Sequence, residues 1–230
     1  MSKTIAVMGV SGAGKTSSLR NLDPDTTFYI DCDGKGMTWK NWKQDYNREK
    51  GNYVKTNYPS LVERCLQHLN GKETNSRGEL VDSENKKGLK YKVCVIDTIN
   101  GIMIGEEQRN RKLKGYDKWD DLANAIWSIL EYSLVSRDDL IIVFMAHAET
   151  VSDDNGMIET HILTNGRKLR KMVPESKINT VLLAEVNEDG KHVFVSSRQN
   201  TTAKEGFIGA FEEPVMDNDL AEVIKVLEEY

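Results

Sequence analysis

Apolar residues along the chain form short continuous runs that alternate with longer stretches of helical periodicity. The continuous runs predict buried strands, because a strand covered on both faces shows no apolar–polar alternation. These runs span residues 4–8, 27–30, 93–96 and 140–146. Apolar residues at helical spacing between Pro59 and Gly71 predict a helix over 61–69, and a second apolar stripe predicts a long helix over 119–134. Strands that alternate with helices favour a parallel sheet.

Weaker patterns set the boundaries of the remaining segments. Apolar residues on either side of the polar turn 187–190 predict a β-hairpin, and a short apolar stripe predicts a terminal helix. The polar stretch 71–90 has no periodicity, which predicts a loop or a mobile hairpin. We therefore expect one core over 1–216, followed by an acidic helix or tail over 217–230.

The first predicted strand runs directly into a glycine-rich segment with the spacing of a phosphate-binding loop. The segment reads Gly9-Val10-Ser11-Gly12-Ala13-Gly14-Lys15-Thr16. Glycine lets successive backbone N–H groups turn inward around phosphate oxygens, and the helix that follows presents its positive end to the same charge. An accidental glycine-rich turn is the alternative, and the preceding strand counts against it.

The loop pattern assigns a role to each of its residues. We expect ATP to bind to Ser11, Gly12, Ala13, Gly14, Lys15, Thr16 and Ser17. Lys15 is the residue that can reach the β- and γ-phosphates. The loop occurs in many enzyme classes, so it predicts the ligand and leaves the reaction open.

An aspartate at the end of the third predicted strand is the candidate metal ligand. Val93-Cys94-Val95-Ile96 is apolar throughout and leads directly into Asp97. A carboxylate at the tip of a buried strand can hold Mg²⁺ directly or through water, and the hydroxyl that follows the loop lysine is a second hard oxygen ligand. We therefore expect Thr16 and Asp97 to bind Mg²⁺.

Two further strand ends carry candidate catalytic groups. Asp31 and Asp33 follow the second strand just before Gly34, where one of them can reach a bound nucleotide; a simple polar turn is the alternative. His147 follows the fourth strand, where a polar group can contact the γ-phosphate and report its loss. A lone histidine is more often structural, so both interpretations of His147 stay open.

Charge bears on the partners that the protein can bind. The net charge of −5 argues at first against nucleic acid. Seven acids and one lysine give 211–230 a charge of −6, however, so the remainder carries +1. Within that remainder a basic cluster consists of Arg167, Lys168, Arg170 and Lys171. Such a cluster either contacts DNA or is the solvated end of a helix.

Composition excludes several other classes of protein. The apolar fraction of 39% is ordinary for a folded core. The longest apolar run, 140–146, is too short to cross a bilayer, and the N-terminus lacks the pattern of a signal peptide. Three widely spaced cysteines are expected to be buried thiols. These features predict a cytoplasmic protein without a membrane partner.

The strand that ends in Asp33 carries a resemblance to a known family. Many ATPase motors place Glu directly after the Mg²⁺ aspartate, whereas Thr98 stands there in this chain, which counts against a standard AAA+ motor or helicase. Tyr29-Ile30-Asp31-Cys32-Asp33 resembles the strand of RecA-like recombinases that ends in the acid orienting the attacking water. By that resemblance Asp33 takes the position of the base, where the family usually has Glu, and His147 that of the γ-phosphate sensor.

The chain as a whole looks like the small phage-encoded ATPases with a trimmed RecA core that are grouped with the single-strand-annealing recombinases. The resemblance is carried by Tyr116-Asp117-Lys118-Trp119, Phe144-Met145-Ala146-His147, Gly166-Arg167-Lys168 and Ala203-Lys204. It implies DNA recombination or annealing, single-stranded DNA as a partner, and self-association into a ring or filament. It also implies that Lys204, or else Arg198, contacts the ATP of a neighbouring subunit.

These expectations combine into one fold and one leading function. The fold is α/β, a three-layer P-loop NTPase of RecA-like type, with a mostly parallel central sheet, helices on both faces and a C-terminal β-hairpin. The function is Mg²⁺-dependent ATP hydrolysis, with catalytic residues Lys15, Asp33, Asp97, His147 and Lys204. Two alternatives stay open: a nucleotide kinase, for which the sequence offers no Arg-rich lid, and an ATP-binding accessory or loader module without DNA-stimulated turnover.

Overall fold

Strands and helices alternate through most of the chain. In the computed structural model, which describes residues 3–112, 117–152, 156–165 and 167–230, they number eleven strands and six α-helices. The strands are β1 (Lys3–Gly9), β2 (Thr27–Asp31), β3 (Tyr53–Lys55), β4 (Lys72–Thr74), β5 (Leu80–Asp82), β6 (Val93–Asp97), β7 (Ile141–Ser152), β8 (Ile158–Ile162), β9 (Thr180–Val186), β10 (His192–Val195) and β11 (Val215–Asp217). The helices are α1 (Trp42–Asp45), α2 (Pro59–Leu69), α3 (Ile99–Arg109), α4 (Asp117–Leu134), α5 (Arg167–Met172) and α6 (Leu220–Glu228). None of the helices in these ranges has the length and apolar character needed to cross a bilayer.

The central sheet is mostly parallel. Its strand order is β11-β10-β9-β1-β7-β6-β2-β3, and β8 pairs with the far half of β7. Every neighbouring pair from β9 to β3 is parallel, whereas β8, β10 and β11 join in antiparallel fashion. The sheet confirms the predicted α/β architecture, and β9 and β10 form the predicted C-terminal β-hairpin.

Helices cover both faces of this sheet. Alternate residues of β1 point to opposite sides, so that Ala6 and Met8 enter one apolar core while Ile5 and Val7 enter the other. The first core takes its helical side chains from α2, α3, α4 and α5, and the second takes buried ones from α6 and the 3₁₀ helix Thr16–Asn21. Trp39, Trp42 and Tyr46 are among the aromatic side chains of the second core. This is the predicted three-layer arrangement.

The register of the strands brings the candidate residues to one edge of the sheet. Gly9 lies opposite His147 in the β1–β7 pair, and Asp31 lies opposite Asp97 in the β2–β6 pair. All four residues stand at or near the carboxyl ends of parallel strands, which is where open α/β sheets bind their ligands. The sheet therefore places the phosphate-binding loop and the acidic strand ends side by side.

The segment after His147 is more regular than the sequence predicts. The polar segment 148–172 carries no strand prediction, but β7 continues to Ser152 and pairs with β8 over five residue pairs. The extension reads Ala148-Glu149-Thr150-Val151, which does not alternate strictly between apolar and polar residues. Because the period of two that identifies a half-exposed strand is missing, the sequence pattern gives no signal for this part of β7.

Helix α3 is a second element that the sequence pattern did not predict. It begins after Thr98, whose hydroxyl accepts from the backbone N–H of Gly101 and caps the helix. Successive residues Ile99–Met103 are all buried. Because the first five residues are all buried and the last four are polar, the segment has no one-sided apolar stripe, which is why its periodicity is absent from the sequence.

The two acidic or polar stretches at the margins of the core are also structured. Within 71–90, β4 and β5 form a separate antiparallel hairpin. In the terminal stretch, β11 pairs with β10, and Asp219 caps α6 by accepting from the N–H of Ala221. Leu220, Val223 and Leu227 of α6 are buried in the second core. Glu222 and Glu228 thus lie on a helix that is packed against the sheet.

Candidate nucleotide site

The phosphate-binding loop owes its shape to glycines at strained or crowded positions. Gly12 and Gly14 have φ of 82° and 94°, a region that other residues rarely adopt. At Gly9 a Cβ atom would lie 2.5 Å from the carbonyl oxygen of Ala184 on β9, so the start of the loop requires the missing side chain. The loop borders a cleft of about 240 Å³. Among the predicted ATP-binding residues, Ser11, Gly12, Gly14, Lys15, Thr16 and Ser17 line this cleft, while Ala13 is buried in the second core.

The Lys15 ammonium lies over the loop. Its Nζ donates to the carbonyl oxygens of Gly9 at 2.8 Å and Val10 at 2.9 Å. Burial lowers the pKa of Lys15, and the nearby Asp97 and Asp33 carboxylates act in the opposite direction. An ammonium held at this position can neutralise the charge of phosphates in the loop.

Asp97 accepts two hydrogen bonds at the end of β6. Its Oδ2 accepts from the Thr16 hydroxyl and from the Tyr29 hydroxyl, each at 2.9 Å. Asp97 is only 5% exposed, and burial raises the pKa of its carboxyl while the two hydrogen bonds oppose that shift. Thr16 and Asp97, predicted separately as metal ligands, are therefore in direct contact.

These residues fit an Mg²⁺–nucleotide complex. Mg²⁺ prefers hard oxygen ligands and is usually bound through one or two protein groups together with waters and phosphate oxygens. The Thr16 hydroxyl and the Asp97 carboxylate supply that donor set beside the loop. Groups of three or more metal-binding side chains are absent from the described residues, so the site suits a cation that is shared with a phosphate rather than one held by protein alone.

The two aspartates after β2 have different surroundings. Both oxygens of Asp31 are occupied, since Oδ1 accepts from Gly34 N–H at 2.6 Å, and Oδ2 accepts from Gly36 N–H at 3.0 Å and from the Tyr53 hydroxyl at 2.9 Å. Asp31 is 2% exposed and braces the turn that follows the strand. Its role in this structure is to fix the backbone.

Asp33 lies at the surface of the cleft. Its Oδ1 accepts from the Thr98 hydroxyl at 3.1 Å, and its Oδ2 is 3.2 Å from Lys35 Nζ. The side chain keeps 19% of its area exposed and lines the same cleft as Lys15 and Asp97. Of the two aspartates, Asp33 is the one with a carboxylate that a water molecule or nucleotide can reach.

His147 stands where the parallel part of β7 ends, opposite Gly9 of β1. Its ring lines the cleft, and burial together with the Lys15 charge lowers the pKa of the imidazole. Its backbone N–H donates to Asn100 Oδ1 at 2.7 Å, and its carbonyl accepts from Leu163 N–H at 2.8 Å. The Asn100 amide in turn donates to the carbonyl of Leu163 at 2.7 Å. A buried Asn100 thus joins the His147 backbone to the chain that leaves β8.

Several residues of the cleft were not predicted as site residues, and three of them lie against predicted ones. Tyr29 orients Asp97, Thr98 orients Asp33, and His192 closes the cleft over the loop. Tyr29 lies two residues before Asp31 in a strand that is buried throughout. A tyrosine hydroxyl in such a strand needs a polar partner, and this was a usable signal for its contact with a strand-end carboxylate. His192 comes from the distant β10, and its Nδ1 is 2.9 Å from the position of a Cβ on Gly14. No local sequence pattern indicates that contact.

The residues expected to contact a neighbouring subunit lie outside the cleft. Lys204 Nζ donates to the Glu175 carbonyl at 2.8 Å, and burial lowers the pKa of its ammonium. Arg198 forms a two-pronged ion pair with Glu185, with N–O distances of 2.5 and 2.6 Å. In this chain both cations therefore have intramolecular partners.

The basic cluster coincides with α5. Arg170 and Lys171 are exposed on this short helix, which directly follows the strand pair β7–β8. The side chains of Arg167 and Lys168 lie outside the part of the chain that the structure describes, as do Tyr116 and Gly166. The cluster is separate from the cleft.

Comparison with known proteins places this site in a family. A family model described as an AAA domain matches residues 1–205. Among solved structures, the P4 protein from bacteriophage phi6, in complex with ADP, is similar with a TM-score of 0.40 and 14% identity. The alignment covers 86% of this chain and 56% of P4, so the chain spans a little over half the length of that protein. Among curated proteins, no sequence matches this chain.

The family match bears on the argument from Thr98. The position after Asp97 holds Thr98 and not the acid expected of a standard AAA+ motor. A carboxylate reaches this position from the segment after β2, where Asp33 accepts from the Thr98 hydroxyl. The match nevertheless extends over most of the chain and includes the loop, Asp33, Asp97 and His147. The phosphate-binding loop, the acidic strand ends and this match lead to one conclusion: the chain is a P-loop protein of the AAA domain family.

Proposed function

We propose that this protein is an Mg²⁺-dependent ATPase. The observation that carries the proposal is the contact of Thr16 with Asp97 beside the phosphate-binding loop, with the accessible Asp33 in the same cleft. The end of β6 supplies the metal ligand Asp97, and the segment after the neighbouring strand β2 supplies the second carboxylate, Asp33. Transfer of phosphate to water needs these two functions at one place.

Each residue of the cleft has its own role in this proposal. Lys15 binds the β- and γ-phosphates, and Thr16 and Asp97 hold Mg²⁺, which neutralises charge on the phosphate oxygens when bound. Asp33, held by the Thr98 hydroxyl, orients the attacking water and accepts its proton. His147 contacts the γ-phosphate and reports its loss. Since Asp31 has both oxygens occupied by hydrogen bonds, it keeps the turn in place and takes no part in the chemistry.

We propose further that the ATPase acts with single-stranded DNA in recombination or annealing. Support comes from the exposed Arg170 and Lys171 on α5, from their position after the strand that carries His147, and from the resemblance to phage-encoded recombination ATPases. Phosphate contacts by clustered cations supply affinity that falls with salt. The three cysteines of the chain are free thiols, in keeping with a cytoplasmic location.

Assembly into a ring or filament belongs to the same proposal. In such an assembly Lys204 or Arg198 would reach the nucleotide of the adjacent subunit. Arg198 is the more accessible of the two, whereas Lys204 Nζ is tied to a backbone carbonyl. To reach that nucleotide, Arg198 has to leave the Glu185 carboxylate, or Lys204 has to leave the Glu175 carbonyl.

The test is ATP hydrolysis by the purified protein with and without single-stranded DNA, at a low and a high salt concentration. We expect DNA to stimulate turnover and the stimulation to fade at high salt. The double variant R170A/K171A should lose the stimulation. A matched control, R48A/K50A, removes two exposed cations elsewhere and should keep it. Unstimulated hydrolysis by every variant would contradict the DNA proposal, and transfer of phosphate to an added nucleoside monophosphate would identify a kinase instead.

A further inference from the structure

A second cavity lies between β8 and α5. Its volume is about 190 Å³, and it shares no lining residue with the nucleotide cleft. Polar side chains that line it are Glu159, His161, Thr164, Arg170, Glu175 and Thr202. A site of this size is smaller than those that take drug-sized ligands, so it suits one small group.

Two buried polar atoms in this cavity have no hydrogen-bond partner among the described residues. His161 is 8% exposed, and its Nδ1 donates to the Ile162 carbonyl at 2.9 Å, which leaves Nε2 as an acceptor in the neutral ring. That Nε2 is unpartnered, and its nearest carboxylate, Glu149 Oε1, is 3.9 Å away. The Thr164 hydroxyl is unpartnered as well. Buried polar atoms are seldom left without partners, so both atoms indicate a ligand that supplies them.

The remaining wall includes the buried carboxylate of Glu175. Glu175 is 5% exposed, and its Oε1 accepts from Ile162 N–H at 2.7 Å and from the Thr202 hydroxyl at 3.2 Å. At the mouth of the cavity stands Arg170, an exposed cation of the basic cluster. A ligand that fits must therefore donate hydrogen bonds on one edge and be attached to an anion that remains outside.

We propose that this cavity takes a single unstacked, amino-bearing nucleobase of single-stranded DNA, with the cytosine amino group donating to His161 Nε2. The inference rests on the proposed DNA function and adds to it the site and the base class. Thr164 can donate to a ring nitrogen or carbonyl of the same base, and Arg170 can contact the adjoining phosphate. Extruded bases are recognised in this way, through hydrogen bonds to their Watson–Crick edge.

Asn100 connects this cavity to the nucleotide cleft. It bonds to the His147 N–H and to the carbonyl of Leu163, the residue before Thr164. A base that binds to Thr164 therefore contacts a segment held by the same side chain as the γ-phosphate sensor. This gives DNA binding a contiguous route to the ATP site.

The experiment compares the affinity of the full chain for oligo(dC) and oligo(dT) of equal length by fluorescence anisotropy. Because thymine lacks the exocyclic amine, we expect oligo(dC) to bind about tenfold more tightly. T164V and H161F should reduce this ratio to near one and leave the affinity for oligo(dT) almost unchanged. T164V removes a hydroxyl that has no partner, so its melting temperature should match that of the wild type and a folding defect cannot account for the loss.

The control and the contrary outcomes separate this inference from the ATPase and DNA proposals. T27V makes the same substitution at a buried threonine of β2 and should keep the full ratio. Equal binding of oligo(dC) and oligo(dT) by the wild type would overturn the base site, and DNA-stimulated hydrolysis would then still stand. Failure of the wild type to bind either oligonucleotide would overturn the DNA function and the base site together.

Discussion

Asp31 and Asp33 are two residues apart and have the same side chain, yet their hydrogen bonds assign them different functions. We predict that Asp33→Asn lowers the ATP turnover rate by about 100-fold, because an amide cannot take the proton of the attacking water. Its stability should hardly change, since Asn still accepts from Thr98. Turnover is measured by phosphate release and stability by thermal melting.

Asp31→Asn is the matched control for that prediction. The new amide replaces one acceptor oxygen with a donor, which leaves the Gly36 N–H and the Tyr53 hydroxyl, or else the Gly34 N–H, without a partner. We expect a loss of about 1–3 kcal/mol in the free energy of unfolding. A large loss of turnover in Asp31→Asn at unchanged stability would reverse the assignment of the two aspartates.

The buried carboxylate of Asp97 has a predictable effect on stability. Burial raises its pKa above the ordinary 3.8, so the folded state disfavours the ionised form, and stability falls as pH rises from 3.8 through the folded pKa. Asp97→Asn keeps an oxygen for the Thr16 and Tyr29 hydroxyls and removes the charge. We expect the variant to match the wild type at low pH and to become the more stable protein near neutral pH, with nucleotide hydrolysis lost. Equal melting curves at every pH would contradict this account.

Individual site residues differ in how far the sequence could identify them. Lys15, Thr16 and Asp97 follow from local motifs, because the spacing of a loop and the end of an apolar strand are visible in the chain itself. The sequence could not distinguish Asp31 from Asp33. The two differ in the hydrogen bonds that Gly34, Gly36 and Tyr53 donate to Asp31, and these bonds form only in the folded chain. His192 reaches the loop from a strand near the other end of the chain, so only the folded structure reveals it.

At the level of elements, α6 shows how an acidic segment can be part of the core. We predict that Leu227→Ala lowers the free energy of unfolding by about 2–5 kcal/mol, because Leu227 is fully buried between the sheet and the 3₁₀ helix after β1. The neighbouring Glu228→Ala removes an exposed charge and should change the free energy of unfolding by less than about 0.5 kcal/mol. Chemical denaturation of the two variants is the measurement, and equal midpoints would show that α6 is dispensable to the core.

Elements with a clear hydrophobic period were predicted, and elements without one were not. The apolar runs of β1, β2, β6 and β7 and the one-sided stripes of α2 and α4 follow from local pattern, whereas the short parallel strand β3 has no such run and was not predicted. Helix α3 is buried along its first five residues and polar along its last four, and the β7–β8 extension is mostly polar, so neither shows the period of its own secondary structure. Both elements are defined by what packs against them, which the local sequence does not contain.

At the scale of the whole molecule, strand order brings the predicted chemistry together. β7 lies between the strand of the phosphate-binding loop and the strand of Asp97, and β2 lies beyond the latter. Three acidic or polar strand ends thus face one loop at a single edge. The three-layer fold was predicted from alternating patterns, whereas the family required comparison, since Thr98 alone argued against a standard AAA+ motor and the AAA domain model matches residues 1–205.

The most direct test of the central claim is phosphate release from ATP by the purified chain, with Mg²⁺ and with the metal chelated, for the wild type and for Lys15→Ala. We predict steady release by the wild type that stops on chelation, and at least a 100-fold loss in Lys15→Ala, because that change removes the cation at the β- and γ-phosphates. The exposed Lys50→Ala variant should behave as the wild type. Release that persists without Mg²⁺, or that is equal in Lys15→Ala, would contradict an ATPase site built on this loop and Asp97.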